Sequence, residues 1–454
     1  MGMNKTNTTA LDMQAINTEG IKFERYPDYK DSGVEWLGEI PAHWKVEKAK
    51  WLFDKQSRPV REKDEIVTVF RDGEVTLRSN RRLDRFTNVL QEHGYQGVRK
   101  GDLVIHVMDA FAGSIGVSDS DGKSTPVYSV CTPKAPDTIN VYFYAYFLRN
   151  LAKTGFIESL AKGIRERSTD FRWKDFSNLL LSLPPLPEQT RIATFLDHKT
   201  ALIDKAIAQK ERLIGLLQER RQVLIHRAVT RGLDPDVPMK DSGVEWIGEV
   251  PGHWGVRPLR YLGKCQNGVS KGAEYFGSGF PFVSYSDVYK NIALPEQIDG
   301  LAMSSDSDRE LYSVEEGDVF FTRTSEVVEE TGLASTCLRT IKDATFAGFL
   351  IRFRPKKGFL FKGFSKYYFR SRTHREFFTK EMNLVIRASL SQELLKRMPV
   401  LLPPIREQKQ IAEFLDSKCN EIYAATSRTK EQILKLKELK TTLIDAAVTG
   451  KVKV

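Results

Sequence analysis

Two kinds of apolar pattern alternate along the chain. Short runs rich in β-branched and aromatic residues, at 66–70, 103–107, 319–323 and 349–354, are punctuated by Gly and Pro and predict strands. Helical stretches such as 141–152 and 364–378 are interleaved with them, so two regions of about 150 residues read as mixed α/β domains. Elsewhere the period changes to seven. Leu196, Ile203, Lys210, Leu217 and Leu224 form one such series, with Thr200, Ile207, Ile214, Arg221 and Ala228 beside it. Leu415, Ile422, Thr429, Leu436 and Leu443, flanked by Cys419, Thr426, Ile433, Lys440 and Ala447, form the second. A stripe held over four heptads predicts a coiled-coil seam; an amphipathic helix lying on a globular core is the competing reading. Pro187 and Glu188 suit a first helical turn, while Gly232 and Gly450 stand where helices would stop.

The chain is also written twice. Lys30 to Val46 reads KDSGVEWLGEIPAHWKV, and Lys240 to Val256 reads KDSGVEWIGEVPGHWGV, 210 positions later. LPPLPEQTRIATFLDHK from Leu183 returns as LPPIREQKQIAEFLDSK from Leu402, 219 positions later, and stays in register without a gap to Ala228 and Ala447. Between these blocks the likeness fades, although Lys100-GDLVIHV and Glu316-GDVFFTR still align. The order is therefore variable domain, shared helix, variable domain, shared helix, a pseudo-twofold protein in one chain. The expected bounds are a polar tail at 1–20, variable domains at 21–183 and 232–401, and shared helices at 184–231 and 402–454.

Composition narrows the function. The formal net charge of +10 favours a polyanionic partner. No apolar run approaches a membrane span, and no membrane partner is expected. Cys131, Cys265, Cys337 and Cys419 lie far apart without a C-x-x-C pair, and the seven histidines show no ligand spacing. Neither a metal site nor a disulfide framework is expected, and a reducing cytoplasm fits. No N-P-P-F/Y or D-P-P-Y methyltransferase motif or P-D…E-x-K nuclease motif is present. Gly122-Lys123-Ser124 mimics the end of a phosphate loop, but Gly116 is one residue too far upstream and Thr125-Pro126 stops the helix that a phosphate loop requires next.

The doubled D-S-G-V-E-W-φ-G-E-φ-P-x-H-W and L-P-P-φ-x-E-Q-x-x-I-A-x-F-L-D motifs closely resemble the specificity subunit of type I restriction-modification enzymes, over nearly the whole chain after the tail. The resemblance implies an α/β (α+β) fold: two target-recognition domains separated by two long helices packed as an antiparallel coiled coil. It also implies a non-catalytic chain that reads one half of a split site in double-stranded DNA with each domain and docks two methyltransferase subunits. Motor-endonuclease subunits would join them. S-adenosylmethionine, ATP and Mg would be bound by those partners, with no cofactor in this chain. A type IIB-like recognition subunit, a self-contained modification enzyme and a coiled-coil scaffold without a DNA role are the alternatives.

Candidate DNA contacts are Arg78, Arg81, Arg82 and Arg85 in LRSNRRLDRF, Arg165 and Arg167 in KGIRERS, Arg323 in FTRTSEV, and Arg387 in VIRAS. Arginine serves both guanine edges and phosphates. Candidate helix-packing residues are Leu196, Ile203, Leu217, Leu224, Leu415, Ile422, Leu436 and Leu443. Trp36, His43 and Trp44 recur as Trp246, His253 and Trp254 in domains expected to read different bases, so a structural or docking role is expected for them.

If the helix starting near Glu188 sets the spacing of the half-sites, four inserted residues lengthen it by about 6 Å and overshoot a full turn by about 40°. The methylated half-sites should then lie one or two base pairs further apart. Two inserted residues rotate the rest of the helix and its domain by about 200°, and binding should largely fail. Genome-wide mapping of methylated sites checks both outcomes, and an unchanged spacer with full activity would end the ruler idea.

Overall fold

The computed structural model describes residues 24–81, 94–160, 171–325, 331–381 and 388–454. The chain divides into two compact units, 1–210 with 431–454, and 211–430. The expected polar tail at 1–20 lies outside the described residues.

Each unit is built on a four-stranded antiparallel sheet with the same connectivity. In the first the order is Phe53–Lys55, Tyr128–Pro133, Leu103–His106, Ile115–Val117. In the second it is Gly263–Asn267, Leu350–Pro355, Val319–Thr322, Ala334–Thr336. The aligned Gly-Asp steps explain part of this likeness. Asp102, buried before its strand, accepts two hydrogen bonds from Arg58 at 2.8 Å and one from the Arg99 N–H at 2.7 Å. Asp318 does the same with Arg354 at 2.7 Å and the Glu315 N–H at 2.8 Å.

The expected helix over 141–152 is present as Val141–Lys153, capped by the Asn140 side chain on the N–H groups of Tyr142 and Phe143. The stretch 364–378 differs, because it breaks into Lys362–Tyr368 and Arg372–Glu381. Between them Arg370 turns inward and donates to the carbonyls of Val288, Tyr289 and Ala334. Gly122–Ser124, the phosphate-loop mimic, is a strand paired with Gln96–Val98. A Cβ on Gly122 would lie 2.5 Å from the Glu65 carbonyl oxygen, so only glycine fits that close approach.

A two-stranded ladder delivers the chain to each long helix. Lys45–Lys48 pairs with Leu180–Leu183 before the helix Leu186–Arg231, and Gly255–Pro258 pairs with Pro399–Leu402 before Ile405–Val448. Gly232 and Gly450 come after these helices with φ of +76°, the left-handed termination expected of them.

Within each unit the two helices run antiparallel. In the first, Lys210 Nζ reaches Gln432 at 2.7 Å and Lys440 Nζ reaches Asp204 at 2.6 Å, so partners descend on one helix as they climb on the other. Ile192, Ala193 and Leu196 there share a core with Leu443, Ile444, Ala447 and Val452. In the second unit Ile225, Ala228 and Val229 share a core with Ile411 and Leu415. None of the heptad positions is exposed. Lys210, Arg221 and Lys440 are half-buried there, stems on the seam and charges at its edge.

Leu415 is fully buried whereas Leu436 is only half-buried. Leu415→Ala should therefore destabilise the second unit by about 2–5 kcal/mol and Leu436→Ala the first by clearly less. Denaturant midpoints of the two variants, read by hydrogen exchange on each unit, check the ranking.

Candidate nucleic-acid interface

The repeated motifs meet at the first turn of each long helix. Glu188, 5% exposed, accepts a hydrogen bond from the Tyr26 hydroxyl, and its other oxygen lies 2.9 Å from His43 Nε2. Burial, with the Glu188 carboxylate beside it, pushes the Tyr26 phenol well above its ordinary range. Glu407 repeats the arrangement with His253 Nε2 at 2.8 Å and the Trp254 indole N–H at 3.0 Å. Tyr26 takes the indole's place in the first unit, where the buried Trp44 Nε1 has no partner among the described residues.

The neighbouring glutamines fasten the helix to the domain. Gln189 donates to the carbonyls of Thr138 and Pro184 and accepts from the Asn140 N–H, at 2.8–2.9 Å. Gln408 donates to Phe359 and Pro403 and accepts from the Phe361 N–H, at 2.8–2.9 Å. Trp36 packs on Phe147 and Phe156, and Trp246 on Phe377. The shared Trp-His-Trp residues are thus committed to the scaffold.

The units differ at one rim of the central sheet. His106 and Thr322 end equivalent strands, and Val107 and Arg323 come next. Val107 bonds through its backbone to Val127 and Phe171, and Arg323 to Phe349 and Leu390. The first rim carries Met108, 48% exposed, and Asp109 bound by Arg71. His106, beside them, has its pKa lowered by burial. The second rim carries Arg323, Phe349 at 65% exposure, and an Asn267–Gln392 hydrogen bond of 3.0 Å. The Arg323 guanidinium pairs with no carboxylate among the described residues.

The other arginines have varied settings. Arg81 is bound by Asp72 and Glu74 at 2.7–2.8 Å and lies over the Phe70 ring. Arg78 opens a 3-10 turn, half-buried, with Nε 3.4 Å from Thr68. Arg82, Arg85, Arg165, Arg167 and Arg387 lie outside the described residues. Arg78 and Arg81 belong to the first unit, and Arg323 belongs to the second. Sequence reasoning passed over Lys50-Trp51-Leu52 and Arg260-Tyr261-Leu262, whose signal is the same 210-residue offset as the preceding block.

Among the described residues no cluster of His, Cys, Asp or Glu could hold a metal ion. No helix is long and apolar enough to cross a membrane. Burial pushes the Cys265 and Cys337 thiols up to about 12, leaving them protonated and poorly nucleophilic at neutral pH.

Two alike mixed α/β units, each including antiparallel segments of the same two long helices, make a doubled architecture. Residues 251–435 match the family described as the type I restriction modification DNA specificity domain. The EcoKI type I specificity subunit of Escherichia coli strain K12 is 25% identical over 299 residues, 64% of this chain and 60% of that protein. The match thus spans less than two thirds of that relative's length. The MjaVIII specificity subunit of Methanocaldococcus jannaschii is 25% identical over 311 residues, covering 66% of this chain and 68% of that one. A chain solved in work on assembly and conformational transition of the type I R-M system superposes with a TM-score of 0.67 at 16% identity, over 90% of this chain and 98% of that one. The HsdS subunit from Thermoanaerobacter tengcongensis gives 0.54 at 17% identity, over 91% and 98%. Residues 251–435 therefore match the type I restriction modification DNA specificity domain, and the chain shares its fold with the HsdS subunit.

Removing either helix-entry carboxylate strands buried donors. Glu407→Ala leaves the Trp254 indole N–H without its acceptor and should cost the second unit about 1–3 kcal/mol. Glu188→Ala should cost the first unit a similar amount, and adding Tyr26→Phe, which removes the stranded hydroxyl, should recover part of it. Unfolding midpoints of the single and paired variants check this.

Proposed function

We propose that the chain reads a bipartite DNA site for a type I restriction-modification complex, one half-site per unit, and performs no catalysis itself. The single observation that carries this reading is a duplicated scaffold whose two copies differ at one sheet rim. Shared parts cannot tell two half-sites apart, whereas Met108 and Asp109 against Arg323 and Phe349 offer different chemistry to base edges. The division into recognition domains at 21–183 and 232–401 and spacers at 184–231 and 402–454 belongs to the same reading.

In this reading double-stranded DNA is the ligand, two methyltransferase subunits dock on the chain, and motor-endonuclease subunits complete the complex. S-adenosylmethionine, ATP and Mg belong to those partners, and the complex works in the cytoplasm. Arg323 is the leading base-reading candidate because its guanidinium pairs with no carboxylate among the described residues. Arg78, Arg82, Arg85, Arg165, Arg167 and Arg387 are the further DNA-facing candidates. Arg81 is a DNA-facing candidate too, since its exposed pairs with Asp72 and Glu74 are readily exchanged for a phosphate.

Exchanging residues 45–183 for the matching region of a relative should change one half of the methylated site and leave the other. Arg323→Ala should relax a single base pair in the opposite half at a cost of about 1–3 kcal/mol. The chain alone should transfer no methyl group until its modification partner is added. Methylome sequencing and a methyl-transfer assay check these outcomes; a change in both halves after one exchange would end the one-domain, one-half assignment.

A further inference from the structure

Both units display the same small surface feature immediately after the repeated Trp-His-Trp block. In the first, the short helix Ala49–Leu52 buries Ala49 and Leu52 and turns Lys50 and Trp51 outward. In the second, the 3-10 turn Leu259–Tyr261 buries Leu259, with Leu262 buried after it, and turns Arg260 and Tyr261 outward. Trp51 is 65% exposed and Tyr261 54% exposed.

The two turns are held in the same way. The Ala49 N–H donates to Leu179 at 2.8 Å, and the Leu259 N–H to Met398 at 2.9 Å. On the other side Lys134 N–H donates to the Leu52 carbonyl at 2.8 Å and Lys356 N–H to the Leu262 carbonyl at 2.7 Å. Each backbone bond therefore brings an exposed lysine, as a second cation, beside the aromatic turn. Each unit ends with one outward aromatic ring next to two cations.

The cations are largely uncommitted. Neither Lys50 nor Arg260 pairs with a carboxylate among the described residues. Arg260 lies 5.0 Å from the Tyr261 ring centroid, and Lys356 Nζ is 3.3 Å from the Tyr261 carbonyl. One acid intrudes, since Lys134 meets Asp54 at 3.3 Å in an exposed pair. Exposed pairs of that kind are weak and readily exchanged for another anion.

Resting on the DNA-reading function, we propose that these two turns are sequence-independent contacts to the DNA phosphodiester backbone. The repeat itself selects the ligand class. A residue set repeated in both units cannot discriminate the two half-sites, so as a DNA contact it meets something the half-sites share. The sugar-phosphate backbone is shared, and its chemistry matches: cations neutralise phosphates while an amphipathic ring lies against the sugar face. An aromatic ring exposed at the same place in both units is a surface kept for contact, not for the core.

The test uses the full chain assembled with its methyltransferase partner and two short duplexes, one bearing the methylated site and one scrambled. Trp51→Ala with Tyr261→Ala should weaken both duplexes alike, by about tenfold or more, and leave the methylated sequence unchanged. Lys50→Ala with Arg260→Ala should flatten the slope of log affinity against log salt by about two. These side chains are exposed, so unfolding midpoints should hold.

Unchanged affinity for both duplexes would overturn the proposal. So would a loss confined to the methylated site, which would make these residues base readers. Failure of the aromatic variant to co-purify with the methyltransferase, with DNA affinity of the free chain intact, would assign the turns to subunit docking and overturn it too. If the unsubstituted complex bound neither duplex, the DNA-reading function itself would fall, a result distinct from the others.

Discussion

The structure depends on how each long helix is fastened at its first turn. A helix exposes unpaired N–H groups and a partial positive charge at its start, and a carboxylate buried there is favoured. Glu188 and Glu407 occupy that position and carry the connection outward to His43 and Tyr26, or to His253 and Trp254. Gln189 and Gln408 then tie the same turn to three backbone groups of the adjoining domain. Two sequence blocks far apart in the chain are thereby one structural joint. Its rigidity matters because a recognition domain is only as well aimed as the helix that carries it.

That joint separates the parts the units share from the parts each one owns. Buried ion pairs such as Arg58–Asp102 and Arg354–Asp318 hold strands in place and are withdrawn from any role toward DNA. Part of the arginine content thus has a structural occupation. The surfaces proposed for DNA are of two kinds: rim residues that differ between units, and the outward turns that do not. Base discrimination and backbone affinity call for those two distributions.

Most of the architecture was legible because its signals were strong and local. The heptad stripes, the Pro-Pro entry, Gly232 and Gly450, and the paired motifs each impose one structure on the backbone. The break between Tyr368 and Arg372 was not legible, since it depends on Arg370 finding carbonyls from two distant segments. The same limit applies to charge. Arg81 sits in a basic run, yet Asp72 and Glu74 reach it only through the fold. Trp51 and Tyr261 were hidden for the opposite reason: they differ in identity, and their matching backbone partners, beside the 210-residue offset, mark them as one feature.

The division of the chain into units also governs the order in which it can fold. The second unit is one continuous stretch, 211–430, and can close as soon as it has been synthesised. The first is interrupted, because its core takes Leu443, Ile444, Ala447, Val448 and Val452 from the far side of the second. On the ribosome, residues 24–210 must wait with part of their apolar surface uncovered until all of the second unit has emerged. The N-terminal half of the protein is therefore the last to be finished.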